Sequence, residues 1–206
     1  MAETKAQRGR IDKRSAILEV AFDVFAERGY RQACVQEIAN AAGVAKPTVY
    51  NHLNDKETLF QETVLAAADA MSTETVAAVD PLRDPGDVRA ALTETALRLV
   101  RSCAGERGRA LRRLANAQSA EFPNLIDEVM RRTTIRLREA LSDRLARLVL
   151  AGALRQCDPT VAAEHFLALL TGPLEIRTHL GTRKPAAAEL RAIADAAVDT
   201  FLRAYT

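Results

Sequence analysis

Apolar residues recur along this chain at the three-to-four-residue spacing of helices, and no stretch shows the alternation of a strand. From Asp12, which reads as an N-cap, Ile17, Ala21, Val24 and Phe25 form one stripe, widened by Leu18 and Phe22, and Gly29 predicts its end. Val35, Ile38, Ala39 and Ala42 predict a short second helix closing at Gly43, and a third runs from Lys46 or Pro47 to about Leu53. Asp55 then caps a fourth, with Leu59, Phe60, Val64, Ala67 and Met71 along one face. The breaker cluster Asp80-Pro81-Leu82-Arg83-Asp84-Pro85-Gly86 must end it.

Further helices are predicted at roughly 87–104, 107–119 and 122–151, the last closed by Gly152. Asp158-Pro159 pairs an N-cap with proline at the first helical position and opens a helix carrying Val161, Phe166, Leu169 and Leu170. Gly172-Pro173 should bend it. After Pro185 comes the cleanest stripe, Leu190, Ile193, Ala194, Ala197, Val198, Phe201, Leu202 and Tyr205. The expected fold is all-α with about nine helices and no internal repeat.

Composition agrees: the 206 residues include no Trp and only 4% aromatics, while the abundant Ala, Leu, Arg and Glu lose little on entering a helix. No apolar run approaches the roughly 20 residues that span a bilayer, and a polar N-terminus predicts a cytoplasmic protein without membrane contact. Cys34, Cys103 and Cys157 stand far apart, which predicts reduced thiols rather than disulfides or a metal site. The net charge of +2 decides little, but Lys5, Arg8, Arg10, Lys13 and Arg14 crowd the start of the chain. A basic arm over 1–11 fits either contact with phosphates or a disordered solubilising tail. Gly-rich phosphate loops, nucleophile elbows and HExxH are all missing, so no enzyme and no cofactor is expected.

The segment from Val35 to Leu53 has the build of a helix-turn-helix. Ala39 is small enough for two helices to cross closely, Gly43 suits the turn, and Val44, Val49 and Leu53 face a miniature core. With Val49 and Leu53 inward, helical geometry turns Pro47, Thr48 and Asn51 outward, flanked by Tyr50 and by Lys46 or His52. That face is rich in hydrogen-bonding groups and suits a DNA major groove, although an ordinary wet surface helix would look similar.

The residues from Arg14 to about Phe60, with FAERGY, IANAAGVAKPTVYNHL and DKETLF in order, resemble the DNA-binding domain of the TetR/AcrR family of regulators. The resemblance implies a DNA-binding domain over 12–58, its helix-turn-helix at about 34–53, and an effector-binding and dimerisation domain over 59–206. It places Lys46, Pro47, Thr48, Tyr50, Asn51 and His52 on the recognition helix and Lys56 against the phosphate backbone. Thr48, Tyr50 and His52 are then expected to position the helix, and Lys46, Pro47 and Asn51 to read bases. Two positions depart from the family: Ala33-Cys34 replaces a Thr-Ser or Thr-Thr pair, and Ala45 replaces a frequent Ser before the recognition helix. Cys34, at a helix start, could have a lowered pKa and a redox role.

The stretch from Arg112 to Gly181 resembles the C-terminal domain of AefR-like members. By that resemblance the chain forms a homodimer through helices at about 159–179 and 186–204, and a repressor leaves a palindromic operator when a small apolar or amphipathic effector binds. Phe60, Met71, Phe122 and Met130 are candidate pocket walls, although Phe and Met at helical spacing are as often plain core. Arg107, Arg109, Arg112 and Arg113 could meet an anionic effector or form a solvated face. His165 and His179 are too far apart to share a metal.

Overall fold

The computed structural model describes the backbone of residues 2–206 and side chains from residue 13 onward. The basic arm expected over 1–11 lies outside the residues whose side chains are described. Helix α1 is Ala2–Gln32, so it does not begin at Asp12; the Ala, Glu, Lys, Gln and Arg upstream favour a helix without supplying an apolar stripe to announce it. Gly29 interrupts α1 with φ 75° and ψ 163°, where the stripe predicted its end.

The next elements follow the periodicity closely: α2 (Val35–Ala41), α3 (Lys46–Leu53), α4 (Lys56–Ala77), a 3-10 turn at Asp80–Leu82, α5 (Val88–Ala104) and α6 (Glu106–Ala117). Helix α7 (Pro123–Met130) passes through π-helical residues Arg131–Ile135 into α8 (Arg136–Leu150), then come α9 (Pro159–Thr178) and α10 (Ala187–Tyr205). Because α7 and α8 form one rod, the described residues make nine helices and no strand. Asp87 caps α5 by accepting the Ala90 N–H at 3.1 Å, and Asp158 caps α9 through the Thr160 N–H at 2.8 Å. Helix α9 continues past Gly172 and Pro173 to Thr178. None of the described helices is long and apolar enough to cross a membrane.

Two compact units emerge, one of residues 1–68 with 114–129, the other of residues 69–113 with 130–206. The first unit therefore holds α1 to α3 together with the start of α4 and the chain around α7. Its core is Ile17, Leu18, Ala21, Phe22 and Phe25 of α1 packed on Ile38, Val49, Leu53, Leu59 and Phe60. In the second unit α5, α8, α9 and α10 enclose Leu92, Leu99, Leu141, Leu145, Phe166, Leu170, Ile193, Val198 and Phe201. Phe166 meets Phe201 edge-on at 5.1 Å between centroids, and Tyr205 stacks on Phe201 at 4.6 Å.

Candidate nucleic-acid interface

The backbone closes the turn between α2 and α3. Ala42 N–H donates to the Ile38 carbonyl at 2.9 Å, Gly43 N–H to that of Asn40 at 3.1 Å, and Val44 N–H to that of Ala39 at 3.0 Å. Gly43 sits at φ +65°, a left-handed conformation that strains a side chain. Beneath the turn Val35, Ile38, Ala39, Val49 and Leu53 are buried, and the small Ala39 lets the helices approach.

Val49 and Leu53 pin one face of α3 inward, which leaves Pro47, Tyr50 and Asn51 exposed and Lys46, Thr48 and His52 half-buried. Lys46 Nζ lies 5.8 Å from the Tyr50 ring centroid, so cation and phenol share one edge of the helix. Hydroxyl, amide, imidazole and ammonium groups stand on α3 and no carboxylate does. This set can donate to phosphates and exchange hydrogen bonds with base edges without repelling DNA.

The helix starts differ in how they are held. Neither Cys34 before α2 nor Ala45 before α3 forms a side-chain cap bond, in keeping with the two departures read from the sequence. Backbone N–H groups of Gln36 and Glu37 hold the exposed Cys34 thiol below its ordinary pKa, as a helix start should. Helix α4 has a true cap, since Asp55 Oδ1 accepts the Thr58 N–H at 2.7 Å. That bond, seconded by the Thr58 hydroxyl, keeps the Asp55 carboxyl below the usual carboxylate range.

Lys56 is half-buried rather than free: its Nζ donates to the Arg31 carbonyl at 3.0 Å and stands 5.1 Å from the Tyr30 ring centroid. It thus ties the start of α4 to the end of α1. Sequence reasoning missed this contact because no local pattern marks a bond between residues so far apart.

Of the four candidate pocket walls, the structure brings Phe60 and Phe122 together, with centroids 5.6 Å apart. Tyr30 meets both, at 4.7 Å from Phe60 and 5.2 Å from Phe122, and Phe25 meets Phe60 edge-on at 5.1 Å. Burial pushes the Tyr30 phenol up, and the carboxylates of Glu57, Glu121 and Asp55 add to that. Met71 and Met130 belong to the second unit, where Met71 is half-buried and Met130 is 46% exposed.

In the second unit the stripes read from α9 and α10 are largely interior: Phe166, Leu170, Leu190, Ile193, Val198 and Phe201 are buried within the protomer. Helix α9 presents another face to the outside, with Val161, His165, Ala168, Gly172 and Ile176 following one another at helical spacing. Ile176 is 78% exposed and Leu180, just beyond the helix, 62%. On α10 the exposed residues include Ala188, Ala192 and Ala196. His165 Nδ1 meets the Tyr205 hydroxyl at 2.6 Å, so these two helices are also joined by a polar contact.

Comparison with known proteins agrees with this architecture. Residues 17–63 match the family described as bacterial regulatory proteins, tetR family, and residues 90–206 match the AefR-like transcriptional repressor C-terminal domain, more than half of the chain. A solved TetR-family transcriptional regulator of Mesorhizobium loti MAFF303099 superposes with a TM-score of 0.89 at 31% identity, covering 95% of this chain and 98% of that one. The transcriptional repressor KstR2 of Rhodococcus jostii (strain RHA1) is 36% identical over 61 residues, 30% of each chain. The transcriptional activator FasR of Mycolicibacterium smegmatis (strain ATCC 700084 / mc(2)155) is 43% identical over 51 residues, 25% of this chain and 23% of its own. The matched segment thus spans less than a third of these curated relatives, whereas the C-terminal match and the Mesorhizobium structure extend over the second unit. The chain belongs to the TetR family of bacterial DNA-binding transcriptional regulators, which are not enzymes.

Proposed function

We propose that this protein is a homodimeric repressor that grips a palindromic operator through paired α3 helices and releases it when a small apolar or amphipathic effector binds the second unit. The observation that carries the reading is the outer face of α3. Pro47, Tyr50 and Asn51 are exposed on a helix pinned by Val49 and Leu53, next to a turn that fixes its angle to α2. Lys46, Pro47 and Asn51 read bases in this scheme, while Thr48, Tyr50 and His52 meet phosphates. Lys56 gives one of its three N–H donors to Arg31 and keeps two for a phosphate.

The outward face of α9, together with the alanines of α10, is the proposed dimer contact. Ile176 and Leu180 supply apolar area, and small residues let two helix pairs approach as a four-helix bundle. Two recognition helices so joined must reach major grooves one turn apart, about 34 Å. An effector acts only by favouring a conformation in which that spacing is lost.

Selection of bound fragments from bacterial genomic DNA tests this reading. The wild-type chain should enrich a palindrome, and Asn51→Ala should cost about 1–3 kcal/mol and blur one position of each half-site. Thr48→Ala should weaken all sites alike. Sequence-blind recovery with a steep salt dependence would leave only electrostatic attachment, and activation rather than repression from the recovered promoter would reverse the sign.

A further inference from the structure

Inside the second unit, three hydroxyls and one guanidinium nitrogen are buried without a hydrogen-bond partner: Ser72 Oγ, Thr95 Oγ1, Ser102 Oγ and Arg112 Nη1. Ser72 and Thr95 are 0% exposed. Other buried hydroxyls of the chain turn back on their own helix. Thr63 donates to the Leu59 carbonyl at 2.6 Å, Thr178 to that of Leu174 at 2.8 Å and Thr75 to that of Met71 at 3.0 Å. The same escape is open to any helical Ser or Thr, so hydroxyls that decline it are pointed at something else. The guanidinium has no escape, because it keeps its proton at every physiological pH.

These atoms come from three helices that face one another. Thr95 and Ser102 stand two turns apart on one face of α5, with the buried Leu99 between them. The thiol of Cys103, next to Ser102, is pushed up by burial, and both Arg112 of α6 and Glu74 of α4 act on it. Gly108 explains how Arg112 reaches inward. A Cβ there would lie 2.6 Å from the Ser102 carbonyl oxygen and 2.9 Å from that of Cys103, so α6 touches the α5 backbone at this point. Arg112, one turn further, leaves α6 on that same face. Arg113 and Arg109 instead donate to the Gly181 carbonyl, at 2.8 Å and 3.5 Å.

We propose that Arg112 anchors the effector site and takes the carboxylate of an organic acid whose apolar body lies among α4, α5 and α6. The Ser72, Thr95 and Ser102 hydroxyls complete its hydrogen bonds. This assignment rests on the reading of the second unit as an effector-binding body. A neutral ligand would leave the guanidinium uncompensated, and a phosphate dianion would bring one charge too many beside Glu74. A carboxylate balances Arg112 and, having no N–H of its own, accepts from it and from the hydroxyls.

Thermal unfolding of the full chain tests the proposal, with octanoate and benzoate as probes and octanamide and benzamide as uncharged counterparts. The acids should raise the Tm of the wild type and the amides should not. Arg112→Met should weaken acid binding about ten- to a hundred-fold, the loss of a charge-assisted hydrogen bond. It should also raise the Tm of the ligand-free protein, because an unpaired buried charge has gone. Thr95→Val should move both quantities the same way by less, and it carries the test if Arg112→Met does not fold. Acids that shift nothing, amides that match them, unchanged acid binding in both variants, or a lowered ligand-free Tm in Thr95→Val would each overturn the anchor. Operator retardation run in parallel separates the two readings: a chain that binds operator and fails with the acids loses only Arg112's role. One that binds acids through Arg112 and no operator loses the repressor.

Discussion

Asp55 is a residue on which both stability and the DNA-binding unit turn. Its carboxylate accepts the Thr58 N–H at the start of α4, and that bond lowers its pKa. A carboxyl whose folded pKa lies below its unfolded value contributes stability that is fully present above the unfolded value and disappears as pH falls through the folded one. Asp55→Ala should therefore lower the Tm at neutral pH and leave it nearly unchanged below the carboxylate range, where the wild type has lost the same bond. A Tm-against-pH series of the two proteins checks this. The inward and outward positions of α3 were legible in the sequence because a 3.6-residue period fixes them once Val49 and Leu53 are recognised as core. Lys56 was legible only as a basic group near DNA. Its bond to Arg31 and the meeting of Phe60 with Phe122 depend on tertiary placement, which leaves no local trace.

Among the elements, the contact between α5 and α6 is the least tolerant. Gly108→Ala would drive a methyl group into the Ser102 and Cys103 carbonyls, and neither backbone atom can rotate away. We expect a loss of about 1–3 kcal/mol in urea unfolding, as for other overpacked sites, whereas the open surroundings of Gly172 should take alanine without such a loss. Helix ends marked by Asp55, Asp87 and Asp158 could be read directly, since capping is a local bond between a side chain and the next turn. The π-helical stretch Arg131–Ile135 could not, because one extra residue in a turn changes the hydrogen-bond ladder without demanding a particular side chain. Nor did the unpartnered hydroxyls announce themselves. Ser72 and Thr75 have the same spacing to their i−4 carbonyls, yet only Thr75 uses one.

At the scale of the whole molecule, the apolar stripes of α9 and α10 misdirect attention. A helix in an all-α body can bury one face in its own core and offer another to a second copy, and periodicity reveals mainly the larger stripe. Phe166 and Val198 belong to the core, whereas Ile176 is left outside. Ile176→Glu should thus convert the dimer to monomer in sedimentation while helix content by circular dichroism stays as in the wild type; a dimer that survives would move the interface elsewhere. The two units also differ in how their helices came to exist. Helices α2 and α3 are seven and eight residues long and start at Cys34 and Ala45 without a cap bond. Segments so short do not hold a helix alone in water, whereas stretches as long as α4 or α10 can form transient turns before any core exists. During folding, then, the part that touches DNA is shaped late, after α1 and the start of α4 have closed around Ile38, Val49 and Leu53, and on warming it is among the first to be lost.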